Sequence, residues 1–243
     1  MVEFDSRITK ITDYLSPAGD SKRVFECSLT DKIVFNYVPG QFAMIAHPDV
    51  TLLANPSQLK WSSYSISSSP MQENVLEFCV GGGSPTGVTA KLKSLSVGDK
   101  IKIKGPFGNF KLKENFPSYV LIGMGTGIAP IISMARTLLA KNVSVPISLF
   151  FGFRFLNQYM YKEELESLEK KHSNFSVFPV VSRPESETTI RSGHVQDAID
   201  DFSGDVENVL VYICGIPSIA EEIMAHCIQK KGFKKENVYI EKW

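Results

Sequence analysis

The chain has 243 residues, and its 26 basic and 26 acidic side chains give a formal net charge of zero. This balance gives no electrostatic reason to expect binding to nucleic acid or to a membrane surface. The four cysteines (Cys27, Cys79, Cys214 and Cys227) form no CxxC pair, so we expect neither a metal site nor an iron–sulfur cluster.

The amino terminus and the longest apolar run bear on location. No basic segment followed by an apolar one opens the chain, which argues against a signal peptide. Glycines and Pro130 interrupt the apolar run at residues 120–139, which is atypical of a membrane span. We therefore expect a cytoplasmic protein.

The first half of the chain reads as β-structure. Short runs rich in β-branched and aromatic residues are separated by Gly, Pro, Asp and Asn; they are RVFECSL, KIVFNYV, QFAMIA, VLEFCV and KIKIKGPFGNF. Such regularly spaced strands are typical of a barrel or sandwich. A short helix is predicted at GVTAKLKSL, where Val88, Leu92 and Leu95 share one face.

The pattern changes after residue 114. Four apolar runs now alternate with helical patterns, beginning with YVLIGM before APIISMARTLLAK and ending with VLVYICG before SIAEEIMAHCIQKKG. Continuous apolar strands that alternate with helices indicate a parallel sheet covered on both faces. We predict a two-domain β plus α/β protein: an antiparallel β-barrel over residues 1–114 and a parallel-sheet nucleotide-binding domain over residues 115–243.

A glycine-rich turn links the first strand and helix of the second half, in LIGMGTGIAP. Glycines let the backbone approach a ligand closely, and a helix amino terminus favours a diphosphate. Pro130 near the helix start removes no hydrogen bond. The turn is not GxGxxG and no acidic residue ends the next strand, so a tight turn without a ligand stays open as an alternative.

Seven segments, in order, resemble the ferredoxin–NADP(+) reductase superfamily of flavin- and pyridine-nucleotide-dependent reductases. They are YVPGQF, YSISSSP, GVTAKL with GDKIKIKGPFGNF, GMGTGIAP, FFGFR, VYICGIPSIAEEI and YIEKW. The resemblance covers nearly the whole chain, and it implies a flavin-binding barrel followed by an NAD(P)-binding domain.

The resemblance assigns the flavin, FAD with FMN as the alternative, to the YSISSSP segment. It implies that Tyr64 lies against the flavin ring, that Ser65 hydrogen-bonds near flavin N5, and that Ser68 or Ser69 serves the phosphate side. The other implied flavin contacts are Ile66, Gly87, Val88 and Thr89, and the backbone N–H groups of residues 87–89 could bind the flavin phosphate.

One departure from the family pattern concerns Ser62, which stands where the family has an arginine that meets the flavin phosphate. One charge-assisted hydrogen bond contributes about 1.5–3 kcal/mol, so its loss weakens flavin binding roughly 10- to 150-fold. Lys60 and Lys91 are the nearby cations that could compensate.

The resemblance also places NADPH or NADH in the second half. The implied diphosphate contacts are Gly125, Thr126, Gly127 and Pro130, and Cys214 and Gly215 would lie under the nicotinamide. The implied catalytic residues are Ser65, Cys214, Glu241 and Trp243, where the terminal Trp243 would cover the flavin and move aside for nicotinamide. The alternatives are that Cys214 is a buried thiol, that Glu241 is a surface carboxylate, and that Trp243 is an ordinary hydrophobic contact at the chain end.

Cations near the third parallel strand suggest how the nucleotide is recognised. Ser182 and Arg183 resemble residues that hold the 2′-phosphate of NADPH, and Arg191 could add a second cation. The same Ser-Arg-Pro motif also occurs in NADH-using members of the family. Both NADPH and NADH therefore remain candidates, with NADPH favoured. Arg154 is assigned to the diphosphate or adenine side, or else to solvent.

The predicted function is that of an NAD(P)H-dependent flavoprotein reductase that exchanges electrons with ferredoxin, flavodoxin or another redox protein. Three alternatives remain: an electron-transfer subunit of a multicomponent redox enzyme, a free-flavin reductase, and a nucleotide-binding sensor that has lost its flavin. Stoichiometric flavin that NAD(P)H bleaches would exclude the sensor.

Overall fold

Two six-stranded sheets, one antiparallel and one parallel, form the framework of the computed structural model, which describes residues 1–29, 33–82 and 85–242. The first half contains, in chain order, β1 (Val2–Tyr14), β2 (Lys22–Ser28), β3 (Phe42–Ala46), β4 (Thr51–Leu52), β5 (Asn55–Leu59), β6 (Ser62–Ser65), β7 (Val75–Val80), α1 (Val88–Ser94) and β8 (Lys100–Phe107).

The antiparallel sheet has the strand order β6-β3-β8-β1-β2-β7, and β4 pairs separately with β5. Its two outer strands approach each other just after β6, where Ile66 forms a bridge with Phe78. The Ser67 N–H also donates to the Glu77 carbonyl at 2.8 Å. These contacts close the sheet around an apolar core, which confirms the predicted antiparallel barrel.

In the first half, one predicted strand was wrong and one strand was not predicted. In KIVFNYV, the described residues 33–38 form no strand. Phe35 reaches the barrel core, but Val34 is exposed and the segment gains no ladder partner among the described residues. The central strand β1 was missed, because only Ser6 and Ile8 of its 13 residues are buried.

The second half contains β9 (Tyr119–Met124), α2 (Ile128–Ala140), β10 (Ile147–Phe153), α3 (Lys162–Lys171), β11 (Phe175–Val181), β12 (Arg191–Ser192), α4 (Val195–Asp200), β13 (Leu210–Gly215), α5 (Pro217–Gln229) and β14 (Val238–Lys242). The division predicted at residue 114 falls between the last strand of the barrel and the first strand of this sheet.

The parallel sheet has the order β12-β11-β10-β9-β13-β14, and every neighbouring pair is parallel. All residues of β9 are buried: Leu121 packs with α2 and α3, while Ile122 packs with α4 and α5. Burial on both faces explains the continuous apolar runs and confirms the predicted α/β fold. The strand order reverses between β9 and β13, which is where such sheets bind ligands.

A buried ionic cluster joins the two halves through Arg136 of α2. Its Nη1 donates to Glu77 Oε1 at 2.7 Å and to the Ser67 carbonyl at 2.8 Å, while Nε and Nη2 each donate to Glu164 at 2.7 Å. Tyr161 Oη donates to the same Glu77 oxygen at 3.1 Å, and its ring lies 5.0 Å from the guanidinium. Barrel and α/β domain are therefore held in a defined orientation.

Candidate functional site

The predicted glycine turn lies at the reversal point of the parallel sheet. Gly125–Gly127 form a single 3-10 turn, and α2 begins directly after it. Gly125 has a φ of 54°, which favours glycine. A Cβ at Gly127 would lie 2.2 Å from the Cys214 carbonyl oxygen, so only glycine lets the turn pack against the end of β13. Pro130 is buried in the first turn of α2.

A cleft of about 740 Å³ opens above this turn, at the carboxyl ends of β9, β10, β11 and β13. A cleft at this edge of a parallel sheet suits a nucleotide. The predicted binding residues that line it are Gly125, Thr126, Gly127, Arg154, Ser182, Arg183 and Gly215. The structure therefore brings together residues that lie up to 90 positions apart in the sequence.

Arg191 is not among the residues that line this cleft. Its guanidinium pairs with Asp201, and both residues line a separate cavity of about 580 Å³. The structure thus offers no support for Arg191 as a second phosphate cation, and that role stays a prediction.

A second candidate region lies where β6 of the barrel meets β13 and β14. Cys214 is fully buried and lies opposite Glu241 on the neighbouring strand. Burial raises the pKa of Glu241 to about 7, and the nearby Ser65 hydroxyl partly offsets that rise. Three of the four predicted catalytic residues therefore lie around one point; the fourth, Trp243, is outside the described residues.

Two buried polar atoms in this region lack hydrogen-bond partners within the described part of the chain: Ser65 Oγ and Glu241 Oε2. A buried polar atom without a partner costs about 1–3 kcal/mol, so such atoms usually await a ligand or water. The edge of a flavin ring carries both donors and acceptors, and a hydroxyl can serve either kind. These residues therefore fit a flavin.

Tyr64 and Thr89, both predicted flavin contacts, are joined to each other. Their hydroxyl oxygens are 2.8 Å apart, and burial raises the pKa of Tyr64. Val88, beside Thr89 in α1, is buried in the barrel core, as is Ile66. In this arrangement Tyr64 is 7% exposed, so its contact with a flavin stays a prediction.

The two lysines that could replace the missing arginine differ in their surroundings. Lys91 Nζ is 2.6 Å from Asp49 Oδ2 and is already paired. Lys60 Nζ is next to Gly87: a Cβ added at Gly87, whose φ is 94°, would lie 3.3 Å from it. Lys60 forms no ion pair with any described residue, so it is the cation left beside the predicted phosphate-side residues Gly87 and Thr89.

Ser68 and Ser69 lie at the interface between the two domains. Ser68 Oγ accepts from the Glu77 N–H at 3.1 Å and is 3.0 Å from Tyr37 Oη. Ser69 Oγ is 2.8 Å from Thr137 Oγ1 in α2. Both hydroxyls already have protein partners, which disfavours the predicted phosphate contact; that contact stays a prediction.

The cleft also contains residues that the sequence did not reveal. The barrel contributes Asp20, Lys22, Gly81 and Gly82, and the α/β domain contributes Gln158 from the turn after β10. Asp20 lies in an ordinary polar turn between two strands, and Lys22 is the first residue of the strand that follows, β2. Only Gly81 and Gly82, directly after a buried strand, carried a signal of close backbone approach.

Two family models match this chain. One, described as an oxidoreductase FAD-binding domain, matches residues 17–112, and the other, an oxidoreductase NAD-binding domain, matches residues 121–225. Together they cover both halves of the fold.

Relatives and solved structures agree with these matches. The chain is 30% identical over 171 residues to the propane 2-monooxygenase reductase component of Gordonia sp. (strain TY-5), covering 67% of this chain and 49% of that protein. It is 28% identical over 213 residues to the naphthalene 1,2-dioxygenase system ferredoxin–NAD(P)(+) reductase component of Pseudomonas putida, covering 85% and 60%. The chain thus spans about half to three-fifths of these two relatives.

A solved structure shares the fold over nearly the whole chain. The Amycolatopsis cytochrome P450 reductase GcoB superimposes with a TM-score of 0.81 at 23% identity, over 99% of this chain and 70% of that one. At this level of identity the likeness shows the common architecture of barrel and parallel sheet.

Proposed function

This chain belongs to the ferredoxin reductase-like family of FAD- and NAD(P)-binding oxidoreductases, and we propose that it moves electrons between NAD(P)H and a separate redox protein. The carrying observation is that Ser65 Oγ and Glu241 Oε2, two buried atoms without a hydrogen-bond partner in the described part of the chain, lie beside β13, whose last residue Gly215 lines the nucleotide cleft. A flavin at these atoms would adjoin a nicotinamide in the cleft. When bound, flavin accepts a hydride and can release single electrons.

The protein's contribution is to hold and align the two partners. Gly125 and Gly127 have no side chains that would fill the bottom of the cleft, so a diphosphate can approach the amino terminus of α2. Cys214 and Gly215 end β13 beneath the expected nicotinamide, where side-chain bulk would prevent stacking. Glu241 is partly buried, which limits the access of water to the same region and favours hydride transfer.

Glu241 has a further role in this proposal, as a proton carrier. Its pKa of about 7 lets the carboxyl hold or release a proton near neutral pH. A flavin bound here would meet both this carboxyl and the Ser65 hydroxyl that lies near it.

The electron acceptor is proposed from the relatives. The two described above are named as reductase components of oxygenase systems, and one of these names includes ferredoxin. We infer that this chain donates to, or accepts from, a ferredoxin, a flavodoxin or an oxygenase component. A cytoplasmic location is part of the proposal; no helix within the described ranges has both the length and the apolar character needed to cross a bilayer.

The decisive experiment is the visible spectrum of freshly purified protein, before and after anaerobic addition of NADPH or NADH. One flavin per chain that bleaches with nucleotide supports the reductase, and chromatography of the released flavin distinguishes FAD from FMN. A protein that takes up no FAD, FMN or riboflavin and does not oxidise NAD(P)H contradicts it.

A free-flavin reductase is the second candidate, and Ser62 is the observation that favours it. Without the family arginine, the phosphate side has Lys60, which pairs with no carboxylate in the described ranges, and an ammonium lacks the planar two-pronged donor set of arginine. In this case flavin would bind as a dissociable substrate. A colourless protein that oxidises NAD(P)H only when FMN, FAD or riboflavin is added would favour this candidate.

A further inference from the structure

One wall of the nucleotide cleft belongs to the barrel domain. Asp20, in the turn between β1 and β2, and Lys22, the first residue of β2, both line it. Gly81 and Gly82 follow β7 and line the same wall. A dinucleotide in the cleft would therefore contact both domains, not only the parallel-sheet domain.

Lys22 extends across the domain boundary to the glycine turn. A Cβ at Gly81 would lie 2.5 Å from both Lys22 Cδ and Thr126 Cγ2, so these two atoms are close neighbours. Thr126 is the central residue of the Gly125–Gly127 turn. Gly81 provides the space that lets the lysine stem pass between the barrel and the turn.

The Lys22 ammonium is held in position by its surroundings. Its side chain is only 13% exposed, and Nζ donates to the Asp20 carbonyl at 2.9 Å and to Asp20 Oδ2 at 3.2 Å. From the other domain, Gln158 Nε2 donates to Asp20 Oδ1 at 3.2 Å. A cation fixed in this way loses little side-chain entropy when an anion binds.

Positive charge exceeds negative charge in this cleft. Lys22, Arg154 and Arg183 line it, and Asp20 is the single carboxylate among its described lining residues. Arg154 Nη1 lies 4.0 Å from the same Asp20, so one carboxylate is shared between two cations. Burial lowers the pKa of nearby Lys93, and Lys22 lowers it further. This excess of positive charge favours an anionic ligand.

We propose that Lys22 is a nucleotide-binding residue that contacts the diphosphate of NAD(P)H from the barrel side, and that Asp20 and Gln158 position it. The assignment rests on the proposed function. The diphosphate is favoured over the 2′-phosphate because Lys22 adjoins Thr126 in the glycine turn, whereas Ser182 and Arg183 follow β11. The domain boundary then acts as a two-sided clamp, with glycine backbone on one side and an ammonium on the other.

The test is calorimetric titration of the purified protein with ADP-ribose, NAD+ and NADP+, comparing wild type with Lys22→Gln. Loss of one charge-assisted hydrogen bond predicts roughly 10- to 100-fold weaker binding of all three, since all three contain the diphosphate. Raising the salt concentration should weaken wild-type binding more than that of the variant. The matched control is Lys10→Gln: Lys10 lies on neighbouring β1, is 66% exposed and pairs with Glu26.

The outcomes separate the inference from the function. If wild type binds the nucleotides and Lys22→Gln binds ADP-ribose equally well, or is weakened for NADP+ alone, the inference is wrong and the function stands. If wild type binds none of the three, the proposed function fails as well. Should Lys22→Gln not fold, Gly81→Ala keeps the charge and puts a methyl 2.5 Å from Lys22 Cδ. It should also weaken ADP-ribose binding, and unchanged binding would contradict the inference.

Discussion

The substitution Arg136→Met tests whether the buried ionic cluster holds the two domains together. Methionine keeps an unbranched apolar stem of similar volume, so the variant removes the charge and five donors with little change in packing. It thereby abolishes the hydrogen bonds that the guanidinium donates to Glu77, Ser67 and Glu164.

The magnitude depends on how well each carboxylate can be rehydrated. The Glu164 side chain is 36% exposed, so water can take over much of the solvation that Arg136 supplied. The Glu77 side chain is 9% exposed and, among the residues that the structure describes, keeps only the hydroxyls of Ser67 and Tyr161 as side-chain partners. Leaving one buried charge of a pair unpaired costs about 3–5 kcal/mol, and we expect the free energy of unfolding to fall by that amount.

The assay is equilibrium unfolding in urea, followed by circular dichroism. Lys162→Met is the control, because Lys162 and Glu166 form a half-exposed pair whose atoms are 3.9 Å apart, and its loss should cost less than about 0.5 kcal/mol. Adding Glu77→Gln to Arg136→Met removes the unpaired charge and should recover part of the stability. A decrease below about 1 kcal/mol in Arg136→Met, with no recovery in the double variant, would refute this reasoning.

Three further predictions concern the site. The folded-state pKa of Glu241 lies above its ordinary value of 4.5, so ionisation of this carboxyl lowers the free energy of unfolding of flavin-free protein as the pH rises to about 7. Glu241→Gln should remove up to about 3 kcal/mol of that decrease, as measured by urea unfolding at pH 5 and pH 8. Equal decreases in wild type and variant between the two pH values would contradict this. Gly127→Ala puts a methyl group 2.2 Å from the Cys214 carbonyl oxygen and should lower the free energy of unfolding by about 1–3 kcal/mol. The same variant should bind ADP-ribose more weakly, which titration calorimetry can measure. Arg183→Ala should raise KM for NADPH roughly tenfold and spare NADH, and equal effects in steady-state assays would assign Arg183 another role.

Local sequence patterns predicted the parts of this protein that depend on neighbouring residues. The two kinds of sheet followed from strand spacing and from continuous apolar runs, and the glycine-rich turn was predicted between the first strand and helix of the second half. Cys214 and Glu241 were selected by resemblance, and the structure places them opposite each other on neighbouring strands. The polar strand β1 escaped detection, because most of its side chains face solvent.

Contacts between the domains could not be predicted, because they join residues far apart in the chain. Arg136 is 59 residues from Glu77, and Gln158 is 138 residues from Asp20. Nothing local distinguishes Lys22 from the other lysines of the barrel. Ser68 and Ser69 show the same limit: their hydroxyls matched a flavin motif, yet the fold gives the Ser68 hydroxyl Glu77 and Tyr37 as partners and the Ser69 hydroxyl Thr137 of α2.

The sequence by itself therefore determined the two folds, the family and the glycine-rich turn, because periodicity, glycine and short motifs act over a few residues. Only the tertiary structure decided which side chains complete the site. Docking the barrel on the parallel sheet buries Ser65 beside Glu241, pairs Arg136 with Glu77, and brings Lys22 to the glycine turn. Burial and charge pairing depend on distance in space, and the linear order of residues does not contain that distance.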